Sequence, residues 1–173
     1  MAMGQGDNVT TRRFFRDYEA LAREISPGLD RAAAMAAFCD AAWKHLSAAG
    51  VSWIGFYVHE GGDELILAAR RDKPACSPIG LHGACGRAFR EKRPLIVRDV
   101  ASLGASYIAC DPRDRSEIVI PLFEKNGACW GVLDVDSHEA GAFEVSDVEP
   151  LGSLLSEAGL SIIAPRASDA IVV

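Results

Sequence analysis

Five of the 173 residues are cysteines, and three of them, Cys76, Cys85 and Cys110, fall in polar stretches interrupted by glycine and proline. Thiols in such loops are open to a reaction partner, whereas a lone cysteine in an apolar run behaves as a small hydrophobe. Cys39, in an alanine-rich helical stretch, and Cys129, in a strand, are read in that second way. An odd cysteine count in a chain long enough to build its own core argues against a structural disulfide framework; it points to thiol redox chemistry or a metal. A zinc site would have to use Cys76, His82, Cys85 and Cys110. Compact knuckles place paired ligands about two to four residues apart, and that spacing is missing here, so no metal is expected.

The second chemical feature is a set of carboxylates. Asn126-Gly127 is a strong hairpin signal between two apolar runs, residues 117–124 and 128–136. A two-residue loop sets Lys125 opposite Ala128, Phe123 opposite Trp130, Val119 opposite Asp134 and Glu117 opposite Asp136. With a side-chain period of two, Glu117, Val119 and Phe123 then share a face with Trp130, Val132, Asp134 and Asp136. Three carboxylates meet at one end of an otherwise apolar face. Like charges opposed on a sheet cost roughly 0.2–1 kcal/mol, so the arrangement fits a site for a cation or a shared proton. Mutual repulsion should raise at least one carboxyl pKa and leave a neutral acid near neutral pH. Cys110 lies on the loop entering this strand, so connectivity alone brings a thiol near the acids. Their negative charge disfavours thiolate, which Arg113 and Arg115 could offset. Trp53 and Tyr57 share a strand face and could wall a pocket.

The elements that must position these groups follow from periodicity. Residues 10–25 and 30–49 read as helices, the second ended by Gly50; residues 51–58 and 64–69 read as a hairpin turning at Gly61-Gly62. Residues 70–86 form the longest irregular segment and carry Cys76 and Cys85. A short helix over 86–92, a short strand over 94–98 and an irregular run over 99–109 lead to Cys110. The last element is a helix over 146–163, capped by Ser146 with Glu149 in a capping box. Helices, antiparallel hairpins and a closing helix make an α+β fold. One domain is expected, with residues 1–12 and 165–173 as flexible tails.

A net charge of −6 and a pI near 5.2 leave no basic stripe for nucleic acid. No apolar run reaches about 18 residues and the start carries no signal-peptide core, so a cytoplasmic protein acting on small molecules or proteins is expected, with no membrane partner. The glycine-containing run over residues 80–86 matches neither the dinucleotide nor the P-loop pattern, which removes nucleotide binding on those grounds.

With these residues in view, the chain resembles the free methionine-R-sulfoxide reductases, a catalytic branch of the GAF-domain proteins. The resemblance rests on Trp53-Ile-Gly-Phe-Tyr57, Lys73-Pro-Ala-Cys76, Gly83-Ala-Cys85-Gly86, Tyr107-Ile-Ala-Cys110-Asp111, Ser116-Glu117-Ile-Val-Ile-Pro121 and Gly131-Val-Leu-Asp134-Val-Asp136-Ser137. It implies a GAF-like antiparallel sheet of about six strands flanked by N-terminal and C-terminal helices, in a homodimer, with a closed pocket for a free amino acid. It implies Cys110 as nucleophile and Cys76 or Cys85 as the thiol that resolves it. It implies Glu117, Asp134 and Asp136 as carboxylates for the substrate ammonium and the sulfoxide oxygen, and Trp53 and Tyr57 as pocket aromatics. No bound cofactor is implied; thioredoxin, kept reduced by NADPH and thioredoxin reductase, would be the external reductant. The chain departs from the family pattern at residues 68–72, where Ala-Ala-Arg-Arg-Asp replaces Gly-Pro-Phe-Gln-Gly, and in a shorter loop between Cys76 and Cys85.

Overall fold

The computed structural model describes residues 14–107 and 110–173. The helices are α1 (Tyr18–Ala22), α2 (Arg31–Leu46), α3 (Ala84–Glu91) and α4 (Val148–Glu157). The strands are β1 (Trp53–Val58), β2 (Glu64–Arg71), β3 (Ile79–Gly80), β4 (Leu95–Val97), β5 (Ser116–Phe123), β6 (Cys129–Ser137) and β7 (Ile171–Val172). They form one seven-stranded sheet in the order β3-β2-β1-β6-β5-β4-β7. All pairs are antiparallel except β4 with β7.

Strand alternation divides the core between the two faces of the sheet. Ile54, Phe56, Ile118, Ile120, Leu122, Leu133 and Val135 pack with α1, α2 and α4. Trp53, Tyr57, Val119, Val132, Leu95 and Val97 face the other way and meet Cys85 and Ala88 of α3. The thicker helical layer is therefore scaffold, and the α3 face is left to build a site.

Several expectations need correction. The sheet has seven strands rather than six, and the C-terminal segment is not a frayed tail. Ile171 N–H donates to Pro94 O at 2.8 Å, Val173 N–H to Ile96 O at 2.9 Å and Arg98 N–H to Val173 O at 2.8 Å. Pairing and the apolar Ile171 and Val173 side chains cover the edge of β4 that would otherwise present open backbone groups. Residues 1–12, the other expected tail, lie outside the described residues. So does the start of the predicted first helix; its described part begins only at Tyr18, with Asp17 accepting from Ala20 N–H as the cap. The closing helix is entered through a 3-10 turn over Val145–Asp147, whose capping box is made by Glu144 and Asp147 rather than Ser146 and Glu149, and it ends at Glu157. Glu149 instead accepts from Ala167 N–H, helping to hold the C-terminal segment in place.

The carboxylate hairpin has the predicted register for a different reason. Glu117 faces Asp136 and Val119 faces Asp134. The loop, however, holds three residues, Lys125, Asn126 and Gly127, because Glu124 N–H donates to Ala128 O and Gly127 N–H to Glu124 O. Gly127 takes a left-handed φ of 79°, a conformation glycine adopts without steric cost. The extra loop residue shifts the pairing by one, and a bulge restores it: Phe123 faces Cys129 while Leu122 faces Gly131. Trp130 is the bulged residue, so it does not face Phe123 or share the carboxylate face. It packs on the helical side, its indole N–H donating to Leu160 O at 3.1 Å.

Candidate active site

Three strands bring the site together row by row. Asp136 on β6 is flanked by Trp53 on β1 and Glu117 on β5, and the next row in the same face is Gly55, Asp134 and Val119. Tyr57 and Val132 form the row beyond. Gly55 is needed there because Trp53 folds over it: a β-carbon at residue 55 would lie 2.2 Å from the indole Cη2. Trp53 and Tyr57 stack obliquely with ring centroids 6.1 Å apart.

The resulting pocket is small, with a cavity volume of about 40 Å³. Seven of the sequence-predicted site residues line it: Trp53, Tyr57, Cys85, Cys110, Glu117, Asp134 and Asp136. The eighth, Cys76, stands outside that lining with its thiol and backbone in hydrogen-bond contact with the Cys110 sulfur. Cys85 is not on a loop, as expected from its glycine neighbours, but in the first turn of α3. Gly86 lets α3 come close: a β-carbon there would sit 2.2 Å from Leu81 O. Asp114 and Tyr107 also line the pocket and were missed as site residues. The run Asp111-Pro-Arg-Asp114-Arg had been weighed only for its arginines, although an acid held between them was there to be read.

The acids are short of partners. Glu117 and Asp134 are only 5% and 7% exposed, and one oxygen of each, Glu117 Oε1 and Asp134 Oδ1, has no hydrogen-bond partner among the described residues. Burial, then the Asp136 and Asp114 charges, pushes Glu117 well above its ordinary pKa. Burial and Glu117 do the same to Asp134, opposed by a hydrogen bond from the Cys85 thiol. Asp136 is raised by burial and by Asp134 and Asp114, with Lys73 opposing. All three shifts run in the direction expected of carboxyls that hold a proton more tightly than free ones. One carboxylate oxygen from each of Glu117 and Asp134 and the Cys85 sulfur lie within 4.8 Å of one another, a donor set suited to a cationic group.

Burial and neighbouring groups push both pocket thiols upward. Cys110 reaches solvent, yet its sulfur is partly covered, and that burial together with the Cys76 thiol pushes it up to about 12. Cys85 is raised well above its ordinary value by burial and by the Asp134 and Glu117 charges. Neither arginine offsets this as expected. Arg113 is held by Asp111, with Nη2 to Oδ2 at 2.9 Å, and Arg115 by Asp99 at 3.2 Å.

A helix-backed sheet with a pocket on its other face, roofed by a short helix and lined by acids and thiols, defines the class: a GAF domain with cysteines at its pocket. A family model described as the GAF domain matches residues 28–162. The chain is 39% identical over 116 residues to the free methionine-R-sulfoxide reductase of Saccharomyces cerevisiae, covering 65% of this chain and 63% of that protein. It is similar to the X-ray structure of free methionine-R-sulfoxide reductase from Neisseria meningitidis in complex with its substrate, at 32% identity and TM-score 0.72, over 82% of this chain and 83% of that one. The reduced form of fRMsr from Staphylococcus aureus is similar at 31% identity and TM-score 0.74, over 84% of this chain and 96% of that one. The chain belongs to the GAF-domain family and, within it, to the free methionine-R-sulfoxide reductases. It spans just under two thirds of the length of the curated relatives it matches.

Proposed function

We propose that this protein reduces free methionine (R)-sulfoxide to methionine through Cys110. The observation that carries the reading is the pairing of two sites. A pocket whose buried carboxyls each keep an oxygen without a partner suits a small zwitterion, and the Cys76 thiol beside Cys110 suits an oxidation that ends in a disulfide. The names of the yeast and Neisseria relatives support the same substrate. The ammonium would settle among Asp134, Asp136 and Glu117, displacing one proton from the cluster and leaving an acid still protonated, while Trp53 and Tyr57 wall the aliphatic part.

In this reading Cys110 Sγ, having lost its proton, attacks the sulfoxide sulfur while a protonated carboxyl, Glu117 or Asp136, gives a proton to the oxygen. The sum is transfer of the oxygen to Cys110 as a sulfenic acid and release of methionine. Cys76, in contact with Cys110, condenses with the sulfenic acid, forming the S–S bond and expelling water. Cys85 is the less favoured resolver because its thiol is buried and committed to Asp134. No bound cofactor is called for. Thioredoxin, supplied by NADPH and thioredoxin reductase, would return the disulfide to two thiols by exchange. We place this activity in the cytoplasm and in a homodimer, in keeping with the family resemblance; among the described residues no helix is long and apolar enough to cross a membrane.

The test offers the R and S epimers of free methionine sulfoxide separately, with thioredoxin, thioredoxin reductase and NADPH, and follows NADPH oxidation. Turnover of the R epimer by the wild type and none by Cys110→Ser is expected. Binding without turnover would instead make the pocket that of a sensor module, and unchanged turnover in Cys110→Ser would remove the nucleophile.

A further inference from the structure

Two loops must meet for the disulfide to form, and neither Cys76 nor Cys110 sits in a helix or strand. Cys76 lies between β2 and β3, and Cys110 lies between β4 and β5. What joins them is ionic. Asp111, the residue after the nucleophile, is only 8% exposed. It accepts from Lys73 Nζ, which belongs to the loop carrying Cys76. Arg113 completes the anchoring on the nucleophile side, with its backbone N–H to Asp111 Oδ1 at 3.0 Å, Nε to Oδ1 at 3.1 Å and Nη2 to Oδ2 at 2.9 Å. His138, just after β6, brings Nε2 within 3.2 Å of Asp111 Oδ2 and 3.5 Å of Asp114 Oδ1.

The loop of Cys76 is pinned from the pocket as well. Trp53 Nε1 donates to Lys73 O at 3.0 Å, and Tyr57 Oη donates to Cys76 O at 2.8 Å. Residues 73–76 are thus fixed at both backbone ends by the pocket aromatics and on the side by Asp111. Releasing the Lys73 arm would leave the pocket and its acids standing, because those sit on β1, β5 and β6. It would remove the tie to Asp111 and let the Cys110 loop shift against a Cys76 loop still held by Trp53 and Tyr57.

We infer that Lys73 and Asp111 form a strap between the two cysteine loops, positioning residues for disulfide closure and not for the attack on the sulfoxide. The inference rests on the reading of Cys110 as the oxidised thiol and Cys76 as its resolver. The step affected is Cys110–SOH plus Cys76–SH giving Cys110–S–S–Cys76 and water. Displacing one partner by about an ångström commonly costs on the order of a hundredfold, so a loss of roughly tenfold or more in closure rate is expected when the strap is cut.

The experiment compares wild type, Lys73→Met, Asp111→Asn, the double variant and Lys73→Arg. Hydrogen peroxide, added in a rapid pulse, makes the Cys110 sulfenic acid without any sulfoxide substrate, releasing hydroxide as it does so. Disulfide closure is then timed by intact mass, and open sulfenic acid is trapped with dimedone. A second series uses one equivalent of methionine (R)-sulfoxide without reductant and times the burst of methionine. Slow closure with abundant trapped sulfenic acid in Lys73→Met and Asp111→Asn, no further loss in the double variant, recovery in Lys73→Arg and an unchanged methionine burst are expected. Closure at the wild-type rate, or burst and closure slowed together, would overturn the strap. A wild type that closes its disulfide after peroxide yet releases no methionine would instead overturn the substrate reading and leave the strap intact.

Discussion

The molecule carries two acidic centres on adjacent stretches of chain, and they are opposites. In the pocket, Glu117 and Asp134 are buried with one oxygen each lacking a partner. Just outside, Asp111 collects Arg113, Lys73 and His138 on one carboxylate. The Arg113 guanidinium, with help from Lys73 and His138, holds Asp111 well below the usual carboxylate range, whereas burial drives Glu117 and Asp134 well above it. The difference separates two uses of a carboxyl group. A saturated acid is a structural anion that is already neutralised and has nothing to offer a ligand. A starved acid is unstable when charged and gains most from whatever cation or proton arrives. Although atoms of Asp111, Asp114 and His138 also lie within 4.8 Å of one another, the lysine and arginine already occupy that charge, so the pocket is the centre left free to bind.

The largest expected effect comes from converting a starved acid to its neutral isostere. Glu117→Gln keeps the shape and the buried polar head but cannot release a proton. If Glu117 is the acid, activity should fall by roughly 10²–10⁴-fold, the usual contribution of a positioned general acid. Stability should move the other way. A carboxyl whose folded pKa is raised favours the folded state at low pH, and that contribution is lost as pH rises from the ordinary carboxylate range through the raised value. The wild type therefore carries a penalty at alkaline pH that Glu117→Gln lacks. Thermal melts at pH 5 and pH 8 should find the variant gaining on the wild type toward pH 8. An active variant with no pH-dependent gain would make Glu117 an ordinary buried residue.

Asp111→Asn should give a smaller effect of opposite sign. A depressed folded pKa adds stability above the ordinary carboxylate range, and that stability is lost as pH falls toward the depressed value. At neutral pH the variant should lose about 1–2 kcal/mol, after discounting for the exposed arms of Arg113 and His138. On acidification below about pH 4 the gap to the wild type should narrow. Melts taken across that range decide it; a gap that stays constant would mean that the charge of Asp111 contributes nothing and that only its shape matters.

Part of this contrast could be read from the sequence. The starved centre was legible because strand alternation and an Asn-Gly turn place Glu117, Asp134 and Asp136 by local rules. Even so, the register came out right through two compensating departures, a longer loop and a bulge at Trp130, and the cost was that Trp130 was assigned to the wrong face. The saturated centre was not legible. Lys73, Asp111 and His138 meet only through three separate loop geometries, and neither periodicity nor turn chemistry specifies those. Cys85 was misplaced because Gly83 and Gly86 resemble loop punctuation. Here the first of them caps α3 and the second admits a close backbone. The short strand β7 escaped because two paired residues carry no pattern of their own; it depends on the exposed edge of β4.

The smallest expected effect concerns a side-chain hydrogen bond of the starved centre, from the Cys85 thiol to Asp134. A thiol is a weak donor, so it relieves Asp134 only slightly. Cys85→Ser supplies a stronger donor of similar shape and should draw the Asp134 pKa downward, whereas Cys85→Ala removes the donor and should push it higher still. Substrate affinity should change by a few-fold in each variant and in opposite directions, because the ammonium competes for the same oxygen. Peroxide-treated Cys85→Ser should still close a disulfide between Cys76 and Cys110, seen by intact mass and peptide mapping. If closure instead disappears in Cys85→Ser and survives in Cys76→Ser, Cys85 is the resolving thiol, and its bond to Asp134 must break in every turnover.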